Sequence, residues 1–411
     1  MSRRWTLLAL VFLGILISYV DRGNLSIAAE AIMRDFHISP GSMGVLLSAF
    51  FWTYALFQIP AGLIVDKLGI RMVYAAGFLI WSLASAGIAL SSGPGDVLWM
   101  RLVLGMAESI GPLASIAFIR QNFKGPEQGL PVSIYISGQN IGPACGVLLG
   151  SHILAGLGWR SLFAITGLGA LAWVPAWAAL APPKSQQVTT SNISPHVSPR
   201  RWRSVLVSPA FFAMSACIFF LSYYWYFLLT WMPAYLISAR GYTTIGMGTI
   251  LSTPLFCMAA VNVLAGFLAD KLVTRRGSVF GVRLTFAALG ALGSAAILFL
   301  NVLPGRNPVL PILVISMCSF GIASSNFWAI AQYASPSTLV GRVIGYLNTL
   351  SQIGGVVAPL ITGWSLGPHR DFRIAILVAG VCSIVAAILL AVAGPDKLTR
   401  LKLTLSPKPE N

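Results

Sequence analysis

Long apolar stretches, separated by short polar turns, recur from one end of this chain to the other. They lie at about 5–29, 41–65, 71–92, 97–121, 128–152, 160–181, 207–238, 244–269, 280–302, 308–333, 341–366 and 373–393. Each is long enough to cross the hydrocarbon core of a bilayer as a helix. The ten-residue alternating segments of a membrane β-barrel are not seen. The pattern predicts an all-α polytopic membrane protein of twelve transmembrane helices. The first stretch is expected to stay in the mature protein. It is too long for a cleavable leader, carries Asp21 and Arg22, and no small-residue cleavage site follows it.

Polar sequence divides the chain once. Residues 182–205, PPKSQQVTTSNISPHVSPRRWRSV, are rich in Pro and Ser, carry a basic cluster near their end and read as a flexible linker. Six spans precede it (1–181), six follow (206–394), and residues 395–411 form a polar tail. The halves repeat. Gly62, Asp66 and Lys67 after span 2 recur as Gly266, Asp270 and Lys271 after span 8, at an offset of 204, and Tyr19 matches Tyr223 at the same offset. Two pseudo-symmetric six-helix bundles fit a known transporter plan, with substrate held between the repeats near the midplane. At this offset Asp21 and Arg22 are matched by Trp225 and Tyr226. We therefore expect ion coupling in the first half and neutral polar or aromatic substrate contacts in the second.

Composition agrees with a membrane protein. Hydrophobic residues make up 56% and charged residues only 9%, against about 25% in soluble domains. A net charge of +16 raises nucleic acid as a partner, but the placement of the charges removes it. Of the 27 Lys and Arg, six (Arg34, Arg160, Arg240, Arg306, Arg370 and Arg373) fall in loops opposite the N-terminus, and Arg22 and Arg101 lie within spans. The other 19 share the N-terminal side. That bias predicts cytoplasmic N- and C-termini. Asn192-Ile193-Ser194 matches a glycosylation acceptor but then lies in the cytoplasm. The five cysteines all fall inside spans and contain no CxxC, so they read as buried inert thiols. The four histidines form no ligand cluster and no phosphate-binding loop occurs, so neither a metal, a cofactor nor ATP drive is expected.

Two carboxylates, Asp21 and Glu108, sit deep within apolar spans. An ionisable group there is costly and marks an ion or substrate path by default. Asp21 lies roughly 24 Å along span 1, and Glu108 about 10 Å deeper in span 4 than Arg101. Arg101 and Glu108 are seven residues apart and share a helix face. We expect Asp21 to meet Arg101 and Arg22 to reach Glu108. Each Arg favours the charged acid while apolar burial favours the protonated one, a balance suited to loading and releasing a proton. The plainer alternative is a static ion-pair network that fixes the helices. Arg22 is also suited to holding a carboxylate bidentately. Tyr19, Tyr54, Gln58 and Gln139 in the first half, and Tyr223, Asn326, Trp328, Asn348 and Gln352 in the second, offer neutral hydrogen bonds or aromatic faces. Each is also a plausible packing or interface residue. Gly62–Arg71 and Gly266–Arg276 read as gating loops, with Gly62, Asp66, Lys67, Arg71 and Asp270 as their key members. Gly138, Gly142, Gly146 and Gly150 place small residues on one face of span 5 for close helix packing beside Pro143.

Several of these segments resemble a known family. Gly62–Arg71 is similar to the loop between helices 2 and 3 of the major facilitator superfamily. Tyr19-Val20-Asp21-Arg22-Gly23-Asn24, Phe50–Pro60 and Arg101–Glu108 together resemble its anion:cation symporter branch, which includes bacterial sugar-acid:proton symporters, sialic acid transporters and vesicular glutamate transporters. The resemblance implies a non-enzymatic, proton-coupled symporter of small organic anions. Aldonates, uronates or aldarates are the expected substrates, and the expected setting is a monomer in a bacterial inner membrane. It implies a substrate-carboxylate role for Arg22 and favours Tyr19, Tyr54, Gln139, Trp328 and Asn348 as substrate contacts. The span 5 glycines also resemble a motif of drug:proton antiporters, which leaves a proton-coupled exporter of small amphiphiles as the alternative. A polytopic enzyme would need clustered catalytic groups near an interface, and a sensor a long cytoplasmic domain; neither is present in this sequence.

Overall fold

The computed structural model describes residues 3–123, 125–181, 208–335, 339–367 and 370–405. The linker expected at 182–205 lies outside them, as does the tail beyond 405. Among the described residues there is no strand. The helices are α1 (Arg3–Asp35), α2 (Pro40–Leu68), α3 (Ile70–Ile88), α4 (Pro94–Glu108), α5 (Ile110–Asn122), α6 (Gly129–Ala170) and α7 (Trp173–Leu180). The second half supplies α8 (Pro209–Ser238), α9 (Thr244–Arg276), α10 (Val279–Ser294), α11 (Val309–Ala334), α12 (Val340–Ser365), α13 (Arg373–Ala393) and α14 (Pro395–Leu405). Helices are the form lipid permits to these segments, because each backbone N–H and C=O then finds its partner within the segment. Their ends follow local chemistry. Ser39 accepts from Ser42 N to cap α2, Ser278 accepts from Gly281 N to cap α10, and Gly69 at φ 87° turns the chain between α2 and α3.

Among the described residues eleven helical runs are long and apolar enough to span a membrane, and one of them, Gly129–Leu180, has 52 residues, enough for two crossings. Its break is Gly158, with φ 81° and ψ 172°. Before that residue the chain runs parallel to α1, with Gly138, Gly142, Gly146 and Gly150 against Ile15, Tyr19, Val20 and Ile27 in turn. After it the order reverses. Trp159 and Arg160 reach Asp35, Thr166 meets Asn24, Trp173 bonds Leu10 O, and Arg3 bonds Leu180 O. The expected twelve crossings are thus present, and the glycine stripe of span 5 is the seam against α1. Large apolar side chains such as Leu56, Ile59, Leu63 and Phe212 are exposed. Packing α3 against α7 buries an aromatic stack of Tyr74, Phe78, Trp173 and Trp177, with Phe78 and Trp173 4.1 Å apart at 12°.

Packing gathers the described residues into two compact units that cut across the sequence repeat. One holds those within 1–192 together with 228–253 and 359–372; the other holds the rest. Two of the cuts, at Pro254 and Pro359, fall on prolines inside α9 and α12, where a backbone hydrogen bond is lost. Within the first unit Ser26 donates to Thr230 O at 2.7 Å, across the repeat offset of 204 residues. Gly44 and Gly248, matched by the same offset, each sit in close contact, Gly44 on Pro359 O and Gly248 on Ser151. Glu30 pairs with Arg370 at 2.6 Å in this unit. It is a third buried acid, which the hydropathy pattern placed just beyond the first span.

Close approach matters most at Gly105. A Cβ there would stand 2.5 Å from Thr53 Oγ1 and closer still to Phe50 O, so α2 would have to withdraw from α4. Gly266, by contrast, has nothing within 4 Å of where a Cβ would be. Gly62 has only Leu113, at 3.9 Å. Gly105→Ala should lower the thermal unfolding midpoint of detergent-purified protein, by the equivalent of about 1–3 kcal/mol. Gly266→Ala should leave that midpoint unchanged or raise it slightly.

Candidate functional site

The buried charges collect on α1 and α4. Val97, Arg101, Leu104, Gly105 and Glu108 form the buried stripe of α4, so Arg101 and Glu108 share a face as their spacing requires. Neighbours on a helix point about 100° apart, and Asp21 and Arg22 diverge accordingly. Arg22 turns toward α2 and α4, where its Nε lies 2.5 Å from Glu108 Oε1. Ser18, one turn earlier on the same face, donates to the same oxygen. The guanidinium is also faced by aromatic rings: Tyr19 at 4.4 Å, Tyr54 at 4.7 Å and Phe50 at 5.0 Å. Phe50 stacks on Tyr54 at 5.2 Å and has Arg101 over its ring at 5.1 Å. One phenyl ring therefore serves two guanidinium groups. Each such contact contributes about 0.5–2 kcal/mol when desolvated.

Asp21 turns toward α3 and α6. Its Oδ1 accepts from Ser85 Oγ at 2.6 Å and from Asn24 Nδ2 at 2.8 Å. The expected meeting of Asp21 with Arg101 is not formed as an ion pair. Arg101 is 3% exposed, and its Nε and Nη1 have no hydrogen-bond partner among the described residues. Its charge remains within electrostatic reach of Asp21 and Glu108. The two acids share one pattern. One oxygen of each takes two donors, while Asp21 Oδ2 and Glu108 Oε2 are buried without a protein partner. With both acids ionised, the four groups sum to zero charge. Each proton taken up adds one positive charge, which a bound anion can balance.

The other expected residues fall into place around these groups or away from them. Tyr19 and Tyr54 face Arg22. Gln139 donates to Tyr135 on its own helix at 3.0 Å, and Gln58 is half-buried one turn beyond Tyr54. In the second half, where Trp225 and Tyr226 replace the charged pair, Trp225 stacks on Phe320 at 5.3 Å and 3°. Tyr226 donates to Gln352 at 3.0 Å. Tyr223 is buried, while Trp328 and Asn348 are half-buried. Asn326 is buried, bonded to Ile322 O at 3.0 Å and to Arg283 at 3.4 Å. Of the expected gating residues, Asp66 and Lys67 are exposed at the end of α2, Arg71 donates to Ala178 O at 2.5 Å, and Asp270 pairs with Arg283. An exposed pair of that kind adds little stability. Spacing did not single out Ser18, Asn24, Phe50, Ser85 or Thr166. A serine or phenylalanine in an apolar span looks like packing until its neighbours are known.

A charge-neutral cluster buried among twelve membrane crossings marks a path for an ion or a solute. The Major Facilitator Superfamily profile matches residues 11–359, and the chain belongs to that superfamily. It is 26% identical to the "Probable galactarate/D-glucarate transporter GudP" of Escherichia coli (strain K12), over 98% of this chain and 96% of the relative. It is also 26% identical to the D-galactonate transporter of Escherichia coli O6:H1, over 94% of each. The hexuronate transporter of Bacillus subtilis is 27% identical over 92% of each. Among solved structures, a bacterial homolog of the human lysosomal transporter Spinster matches with a TM-score of 0.77 over the whole of both chains at 16% identity, which is a likeness of fold.

The shared ring makes a measurable claim. A double-mutant cycle of Phe50→Leu with Arg101→Gln should return a coupling of about 0.5–2 kcal/mol in unfolding free energy.

Proposed function

We propose that this protein is a proton-coupled symporter of sugar acids that works by alternating access. The observation that carries the reading is the Arg22–Glu108 pair, buried, ringed by Tyr19, Phe50 and Tyr54 and left with one unsatisfied carboxylate oxygen. While Glu108 is ionised it holds Arg22. Protonating Glu108 weakens that hold and frees the planar guanidinium to take a substrate carboxylate through two parallel hydrogen bonds. The incoming negative charge then balances the added proton, so the cluster crosses its working cycle without a large uncompensated charge. Asp21 is a second proton site in this scheme, and Arg101 stabilises both acids when they are ionised. Tyr19, Tyr54, Gln58 and Gln139 offer hydroxyl, amide and ring contacts to a polyhydroxy chain, and Tyr223, Trp328 and Asn348 do the same from the second half. Relatives named for galactarate, galactonate and hexuronate support this substrate class. Asp66, Lys67, Arg71 and Asp270 act in gating. The bias of Lys and Arg supports an inner-membrane orientation with both termini cytoplasmic.

Proteoliposomes test the reading directly. With a pH-sensitive dye inside, D-galactonate, D-glucuronate and galactarate are supplied outside in turn. Uptake of at least one of them should acidify the lumen, and the rate should rise with an inward proton gradient. Uptake that moves no protons would overturn the coupling. Glu108→Gln should retain exchange of internal for external substrate while losing accumulation driven by the pH gradient. Arg22→Lys, which keeps the charge but loses the fork, should weaken substrate affinity at least tenfold, about 1.4 kcal/mol. Unaltered affinity in Arg22→Lys would remove Arg22 from the substrate site.

A further inference from the structure

Asp21 is held by neutral donors arranged in a chain. Thr166 in the second arm of α6 donates its only hydroxyl proton to Leu162 O at 2.8 Å. Toward Asn24 it can therefore only accept, and Asn24 Nδ2 meets it at 2.9 Å. The same amide nitrogen gives its other hydrogen to Asp21 Oδ1 at 2.8 Å. Asn24 Oδ1 is left buried without a partner, so the amide orientation is set by Thr166 and Asp21 together and not by its own oxygen. Ser85 of α3 adds the second donor to Oδ1 at 2.6 Å. Three elements must converge to build this group. Gly167 makes that possible, since a Cβ there would lie 2.5 Å from Ala86 N and 2.8 Å from Ser82 O. The charged groups in reach of Asp21 are Arg101 and Glu108 from α4, with Arg22 beside it on α1. What α3 presents to it is the hydroxyl of Ser85, and the hydroxyl of Thr166 on α6 meets Asn24.

We infer that Ser85 and Asn24, the latter oriented by Thr166, are positioning residues that set the proton affinity of Asp21 by saturating Oδ1 and leaving Oδ2 as the oxygen that takes the proton. Two hydrogen bonds to Oδ1 favour the ionised acid and oppose the apolar surroundings. Neither residue needs to touch substrate. The inference rests on the proton-site reading of Asp21 but has a readout of its own.

The test is a pH titration of the carboxyl stretching band of purified full-length protein by infrared difference spectroscopy, with Asp21→Asn identifying the band. Removing a donor weakens the ionised form, so the midpoint should move to higher pH. Ser85→Ala and Asn24→Ala should each raise it by about one unit, a tenfold gain in proton affinity. Thr166→Val should raise it by less, and Ser85→Thr should restore the original midpoint. Unchanged midpoints in both Ser85→Ala and Asn24→Ala, or a move to lower pH, would overturn the inference. The same variants are then assayed for uptake of the three sugar acids against external pH. Shifted band midpoints with uptake that ignores pH would uphold the role of Ser85 and Asn24 and overturn the coupling reading instead.

Discussion

An ionised side chain inside a bilayer must meet its counter-charge inside the protein, and the Arg22–Glu108 contact is where this chain meets that requirement. A charged residue at the middle of a membrane helix costs about 2.5–3.5 kcal/mol on insertion scales, and here four such groups share one region. The pairing dictates much of what surrounds it. Phe50, Tyr19 and Tyr54 supply π faces where water is excluded. Ser18 adds a donor from the turn below Arg22. Gly105 lets α4 come near enough to α2 for Phe50 to lie over both guanidinium groups. Helix packing and electrostatics are thus one problem solved by the same residues.

A fully satisfied cluster would be a structural rivet. This one is half satisfied, with Asp21 Oδ2, Glu108 Oε2 and two Arg101 nitrogens buried and lacking protein partners. Buried polar atoms without partners cost free energy, and that cost is what the proposed proton and anion binding would relieve. The acids differ in how they are held: Glu108 by an arginine and a serine, Asp21 by two neutral donors, Ser85 of α3 and Asn24 of α1. In the second half the matched positions carry Trp225 and Tyr226, packed on Phe320 and bonded to Gln352. The repeat keeps the helical frame in both halves, while the buried charged pair occurs in the first.

How much of this was legible beforehand can be judged residue by residue. The twelve crossings and the shared face of Arg101 and Glu108 follow from hydrophobic length and from periodicity within one helix. The Arg22–Glu108 pair and the glycine seam of span 5 join two helices, and there the sequence offered only the complementary charges and the small-residue spacing. The pairing of Asp21 with Arg101 was expected and does not form, because the 100° step from Arg22 carries Asp21 to α3 and α6 instead. Asn326 is bonded to Ile322 O and to Arg283, and Gly266 proves to border open space.

The chain by itself determined that it spans a membrane twelve times, that its second half repeats its first, and that its buried charge lies in spans 1 and 4. Hydrocarbon thickness and the cost of burying charge act on any helix of that composition, whatever its neighbours. Tertiary structure alone decided that Ser85 and Asn24 hold Asp21, that Phe50 serves two arginines and that Thr166 orients an amide. Those contacts join residues up to 142 positions apart. A serine's partner across two helices is set by the rotation and approach of both, which no local pattern encodes.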